Sequence, residues 1–197
     1  MKALIVIDMQ KDFTTGALGN PETAAVVKPV AKYIKAWRKE NPDGLIVATL
    51  DTHTEDYPNT QEGRKLPVPH CIKGTKGWAL EKTVQTALGE DAILLEKVTF
   101  GAADLPKVIG KRRKIEEFQI IGICTDICVI SNAMILKAAF PEVPIKIISE
   151  CCAGVSPESH ANALSAMAVC QMEIVESQKR RRITVILRRL WLLKKRR

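Results

Sequence analysis

The sequence predicts an α/β fold, a three-layer α-β-α sandwich around a mostly parallel sheet of six strands. Three observations predict it. Short, continuous apolar runs recur along the chain with the composition of strands buried on both faces, and longer segments with helical spacing follow them. Several of the runs also end on a residue with usable chemistry. In an open parallel sheet these ends share one edge, where binding crevices form.

The first run, residues 3–7, is closed by Asp8. Residues 29–39 open on a proline and space Val30, Ile34 and Trp37 along one helix face, and Asn41-Pro-Asp-Gly then turns the chain. A second strand over 45–50 ends at Asp51. Residues 52–77 are rich in proline and glycine without periodicity and read as a long loop, a place where function concentrates. A helix over 78–88 and a third strand over 92–95 precede Lys97. Residues 102–117 hold a short helix and the solvated run KRRKIEE. A strand over 118–123 leads into a helix over 126–139, with Ile127, Ile130, Met134 and Ala138 spaced for burial. A fifth strand spans 144–148. Ser156-Pro157 caps a helix through Met167, and residues 173–175 add a sixth strand.

A chain of 197 residues buries a substantial core and is most economically one domain. The opening MKALIVIDMQ has too few apolar residues before Asp8 for a signal peptide or membrane span, so a cytoplasmic protein is expected. Six cysteines without disulfide-scaffold spacing are expected to be reduced. The net charge of +8 suggests an anionic partner until it is located. Residues 178–197 hold ten of the thirty basic residues and no acid, leaving −2 on residues 1–177. The sequence thus divides into a domain over 1–177 and a basic, apolar extension that is amphipathic, disordered or a frameshifted non-native end. The extension is the candidate for contact with anionic surfaces. No nucleic-acid role is expected of the domain, which lacks aromatic RNA-binding signatures, zinc-finger spacing and a recognition-helix pattern. GxGxxG and GxxxxGKS are also absent.

The chemistry converges on the strand ends. Cys128, within GICTDICV, falls in the first turn of the helix after the fourth strand, where free N–H groups and the helix dipole favour a thiolate. A buried structural thiol is the plain alternative. Asp8 is placed to take a thiol proton and Lys97 to hold the charged pair, against the plainer readings of a capping aspartate and a surface lysine. Cys124 and Cys128 form only a weak Cys-x3-Cys half-site, since one sits on a strand and the other on a helix. Cys151, Cys152 and Cys170 read as core or loop residues. Asp51, His53 and His70 form a second set, suited to zinc, manganese or ferrous iron with coordination positions left open, or else to loop hydrogen bonding. His160 reads as a capping or surface residue.

Taken together, LIVIDMQKDF, DTH, PHCIKGTKG, EKVTFG, GICTDICV and CCAGVSPESH resemble the isochorismatase-like cysteine hydrolases, in their nicotinamidase/pyrazinamidase branch. The resemblance covers residues 1–177. It implies a triad of Asp8, Lys97 and Cys128, and a divalent metal on Asp51, His53 and His70, zinc first, with manganese or iron as alternatives. It also implies a cis peptide at Ile123-Cys124, an oxyanion hole from the Cys124 and Cys128 backbone N–H groups, and Phe13 beside the substrate ring. The implied reaction is deamidation of nicotinamide, or pyrazinamide, through a cysteine thioester, by a homo-oligomer. One departure bears on the pocket: Pro67 stands where the family often has tryptophan, and Trp78 lies downstream. A related hydrolase of another small amide, carbamoyl or ureido substrate is the nearest alternative. A non-catalytic binding protein is the more distant one.

Overall fold

A computed structural model describes residues 1–110 and 114–176. In chain order the elements are β1 (Lys2–Ile7), α1 (Lys11–Thr14), α2 (Pro21–Ala25), α3 (Val27–Glu40), β2 (Leu45–Asp51), a 3-10 turn (Tyr57–Asn59), α4 (Gln61–Lys65), α5 (Lys82–Leu88), β3 (Ile93–Lys97) and α6 (Leu105–Gly110). They continue as β4 (Glu117–Ile123), a π-helical turn (Thr125–Val129), α7 (Ile130–Ala139), β5 (Ile145–Ala153), α8 (Pro157–Val169) and β6 (Glu173–Val175). The six strands lie in the order β3-β2-β1-β4-β5-β6, and every pairing between them is parallel. All their carboxyl ends therefore meet one edge. The strand order reverses between β1 and β4, which opens a crevice there.

The apolar runs are continuous because the sheet is covered on both faces. Leu4 and Val6 of β1 enter a core with Val30, Ile34 and Trp37 of α3 and Val84 of α5. Ala3, Ile5 and Ile7 enter the opposite core, with Leu105, Ala133, Leu136 and Met167 of α6, α7 and α8. Each fully buried aliphatic side chain contributes roughly 1.5–3 kcal/mol to that packing. At Gly122, β4 passes so close to β1 that a Cβ would lie 2.2 Å from the Ile7 carbonyl oxygen, and its φ of +121° is one that side chains rarely adopt. Glycine there lets β4 deliver the nucleophile turn beside the end of β1.

Several boundaries differ from expectation. Residues 52–77 are not simply a loop, since they hold the 3-10 turn and α4. The helix expected over 78–88 begins only at Lys82, because Leu80 is held in an antiparallel bridge to Gln10. Strand β5 runs on to Ala153, past an irregularity in its pairing with β4 between Ile120 and Gly122. The cap expected at Ser156 is present as a capping box with Ser159. All six cysteines are free. No helix among the described residues is long and apolar enough to cross a membrane. The extension over 178–197, with its expected surface contacts, and residues 111–113 of the KRRKIEE run lie outside the described residues.

Candidate active site and metal centre

Asp8 follows β1, Asp51 and Lys97 end β2 and β3 in direct register, and Cys124 and Cys128 follow β4. The parallel sheet thus gathers the strand-end residues in the crevice. Lys97 Nζ lies 2.8 Å from Asp8 Oδ2, 3.0 Å from Asp51 Oδ1 and 3.7 Å from Cys128 Sγ. Asp8 leaves its strand with a left-handed φ of +47°. Its Oδ1 accepts a 2.7 Å hydrogen bond from the Thr49 hydroxyl, which turns the other oxygen towards Lys97.

All three triad candidates are buried, and burial dominates their protonation. It pushes the Asp8 carboxyl above its usual range against the opposing Lys97 charge. Burial would discharge Lys97, but the carboxylates of Asp8 and Asp51 hold its ammonium well above the ordinary range. The Cys128 thiol is pushed well up, first by burial and then by Asp8. Burial thus opposes the thiolate that the helix-start position favours.

The nucleophile turn has the Ile123-Cys124 cis peptide that the resemblance implied. The Cys124 carbonyl accepts from the Ile127 and Val129 N–H groups, at 3.1 and 3.0 Å, and the Cys128 N–H between them is not among its donors. The turn is braced from outside. Thr125 Oγ1 lies 2.8 Å from His160 Nδ1, and Asp126 accepts from the Val155 N–H at 3.2 Å. His160 is thus neither a cap nor a plain surface residue, but a buttress of this turn.

The second set converges as well. One ligand atom each from Asp51, His53 and His70 lies within 4.8 Å of the others, and all three residues are buried. Asp51 Oδ2 is 2.9 Å from His53 Nε2 and 3.5 Å from His70 Nε2. His70 Nδ1 lies 2.9 Å from the Val68 carbonyl and must donate to it, which directs the lone pair of Nε2 into the cluster. Burial opposes ionisation of Asp51, yet His53, His70 and Lys97 hold its carboxyl well below the usual range. One carboxylate and two imidazole nitrogens at this spacing fit a divalent cation.

Sequence reasoning missed two residues here. Glu62 of α4 brings Oε1 to 3.9 Å from His53 Nε2 and 3.8 Å from His70 Nε2, beside the three candidate ligands. Tyr57 packs its ring 4.7 Å from that of His53 and 5.0 Å from that of His70, and its hydroxyl donates to the Leu66 carbonyl. The one sequence signal for Glu62 is Thr60, which caps α4 by accepting from the Gly63 N–H. Phe13, expected beside the substrate ring, sits 5.5 Å from the His70 ring. The Trp78 indole N–H donates to Thr52 Oγ1 at 2.9 Å, between two metal-ligand candidates. A half-open groove of about 420 Å³ leads away past His53, Glu62, Leu66, Val98, Phe100 and Ile127.

The isochorismatase domain family matches residues 2–179. The nicotinamidase/pyrazinamidase of Mycobacterium tuberculosis is 26% identical, over 89% of this chain and 98% of its own. An uncharacterized isochorismatase family protein of Bacillus subtilis is 31% identical, over 85% of this chain and 94% of its own. The crystal structure of the pyrazinamidase of Pyrococcus horikoshii in complex with zinc superposes with a TM-score of 0.76 at 29% identity, covering 89% of this chain and 99% of that one.

Proposed function

The chain belongs to the isochorismatase family, and from that premise we propose that it is a metal-assisted cysteine amidohydrolase converting nicotinamide, and pyrazinamide, to the acid and ammonia. The observation that carries this reading is the bridging of the two sets by one buried cation. Lys97 touches Asp8, Asp51 and Cys128 within 3.7 Å, so nucleophile, base and metal-ligand carboxylate form one unit.

Asp51, His53 and His70 would hold the divalent ion, with Glu62 as a fourth donor, and zinc is our first assignment on the mixed N/O donor set. When bound, the ion supplies a Lewis-acid anchor for a ring nitrogen of the substrate. Phe13 packs on the ring. Asp8 accepts the Cys128 thiol proton as sulfur bonds to the amide carbon, and its raised basicity suits that task. The Cys124 and Cys128 N–H groups donate to the developing oxyanion, each worth about 3 kcal/mol in the transition state. Asp8 then gives its proton to the departing nitrogen as the C–N bond breaks and ammonia leaves. Water attacks the thioester while Asp8 takes one of its protons, and that proton returns to sulfur as the acid departs. Lys97 stays charged throughout and fixes the Asp8 carboxylate.

A homo-oligomer, a cytoplasmic location and a separate extension beyond Ser177 belong to the same proposal, on the family's likeness and the charge distribution. The test of the metal's part is removal by chelator. Deamidation of nicotinamide is expected to fall at least about 100-fold, the scale set by a Lewis acid's several kcal/mol. It should return on adding zinc, manganese or ferrous ion. Full nicotinamide deamidation by metal-stripped protein would remove the metal from the reaction.

A further inference from the structure

The turn after β1 carries Asp8 into the triad, and two more of its side chains reach the metal-ligand segments without touching the ligand atoms. Gln10 is fully buried. Its Oε1 accepts from the Asp51 N–H at 2.7 Å, and its Nε2 donates to the Asp51 carbonyl and the Trp78 carbonyl, each at 2.8 Å. One side chain therefore pairs with both peptide groups of Asp51, as a neighbouring strand would. Asp12, two residues on, accepts from the Cys71 N–H at 2.8 Å through Oδ2 and from the Ala17 N–H at 3.2 Å through Oδ1. Gly77 makes room for that carboxylate, for a Cβ there would lie 2.1 Å from Asp12 Oδ2.

Cys71 is the residue to hold. It follows His70 directly, has a left-handed φ of +46°, and its carbonyl accepts from the His53 N–H at 3.0 Å. The His53 carbonyl in turn accepts from the Lys73 N–H at 2.9 Å. A backbone turned left-handed at a non-glycine residue persists only where its surroundings dictate it. The hydrogen bond from the Cys71 N–H to the Asp12 carboxylate supplies that constraint, at a point linked covalently to one histidine and by hydrogen bond to the other. The backbones of all three ligand residues thus trace back to Gln10 and Asp12.

We propose that Gln10 and Asp12 are the positioning residues of the metal centre: Gln10 clamps the backbone of Asp51, and Asp12 fixes Cys71 and through it His70 and His53. The inference rests on reading these three residues as metal ligands. It assigns the polar positions of the β1 turn one task each, Asp8 to the proton, Gln10 to the carboxylate ligand and Asp12 to the imidazoles.

The experiment measures zinc affinity of the full chain, stripped by chelator, in competition with a chromophoric chelator, for the wild type and for Asp12→Ala, Asp12→Asn and Gln10→Met. Thermal unfolding of each stripped protein runs alongside. Asp12→Ala and Gln10→Met are expected to bind zinc about 10- to 100-fold more weakly, the range for lost outer-shell partners. Asp12→Asn should stay within about threefold, because its amide oxygen still accepts from the Cys71 N–H. If Gln10→Met does not fold, the Asp12 pair alone decides. Asp12→Ala binding zinc as tightly as wild type overturns the proposal, and so does Asp12→Asn as weak as Asp12→Ala, which would show a charge effect rather than a positioning bond. A wild type that itself takes up no zinc overturns the metal reading and this inference together, a result distinct from variants that match a zinc-binding wild type.

Discussion

Cys128→Ala is expected to reduce nicotinamide turnover by at least about 10⁴-fold, the scale seen when a covalent nucleophile is removed from an otherwise intact site. The reason is local. The thiol lies 3.7 Å from the Lys97 ammonium, and the Asp8 carboxylate acts on it electrostatically. Taking away sulfur leaves those partners paired with each other through the 2.8 Å contact between Lys97 and Asp8, so the fold should hold. Zinc content and thermal stability are therefore expected to stay near wild type while activity vanishes. Cys124→Ala is the matched control. Its contribution is a backbone N–H, which alanine keeps, so most of the activity should survive. Ammonia release by both variants at equal zinc loading checks the pair. Near-normal turnover by Cys128→Ala would remove the thioester from the account.

Lys97→Met should cost both activity and stability. Lys97 is 4% exposed, and its ammonium pairs with Asp8 and Asp51, at 0% and 4% exposure. Removing one partner from such a buried cluster costs about 3–5 kcal/mol, because the remaining charges lose their compensation. Without the ammonium, burial and the neighbouring Asp51 are left to push the Asp8 carboxyl up unopposed, which disfavours the carboxylate that takes the thiol proton. Loss of a general base is worth about 10²–10⁴-fold in rate, and at least that is expected in kcat. Denaturant unfolding of stripped protein and steady-state kinetics give the two readouts. A stable, active Lys97→Met would place the cation outside the machinery.

The strand ends were the legible part of this protein. Residues 3–7 are apolar without interruption, and residues 45–50 are so but for Thr49, because both faces are buried, and that pattern locates Asp8 and Asp51 without any knowledge of the tertiary structure. Ser156-Pro157 was equally readable, since a cap is local chemistry. Helix α4 was not. Five residues make less than two turns, too short for a 3.6-residue period to show, and Glu62 and Tyr57 were hidden in that segment. Gln10 and Asp12 were illegible for another reason, for their partners lie 41 and 59 residues away and local periodicity carries no trace of them. How far burial opposes the Cys128 thiolate was not legible, because position at a helix start is visible in sequence, whereas burial of the thiol depends on the packing around it. Phe100 and Val98, exposed beside the groove, likewise gave no signal before the fold placed them there.

The most direct test of the central claim is ammonia release by the full chain from nicotinamide, pyrazinamide and a ureido compound, each with stripped and with zinc-reloaded protein. The account predicts rapid deamidation of both aromatic amides by the reloaded protein, a large loss on stripping, and little turnover of the ureido compound in either state. Preference for the ureido compound, or equal nicotinamide turnover with and without metal, would contradict it.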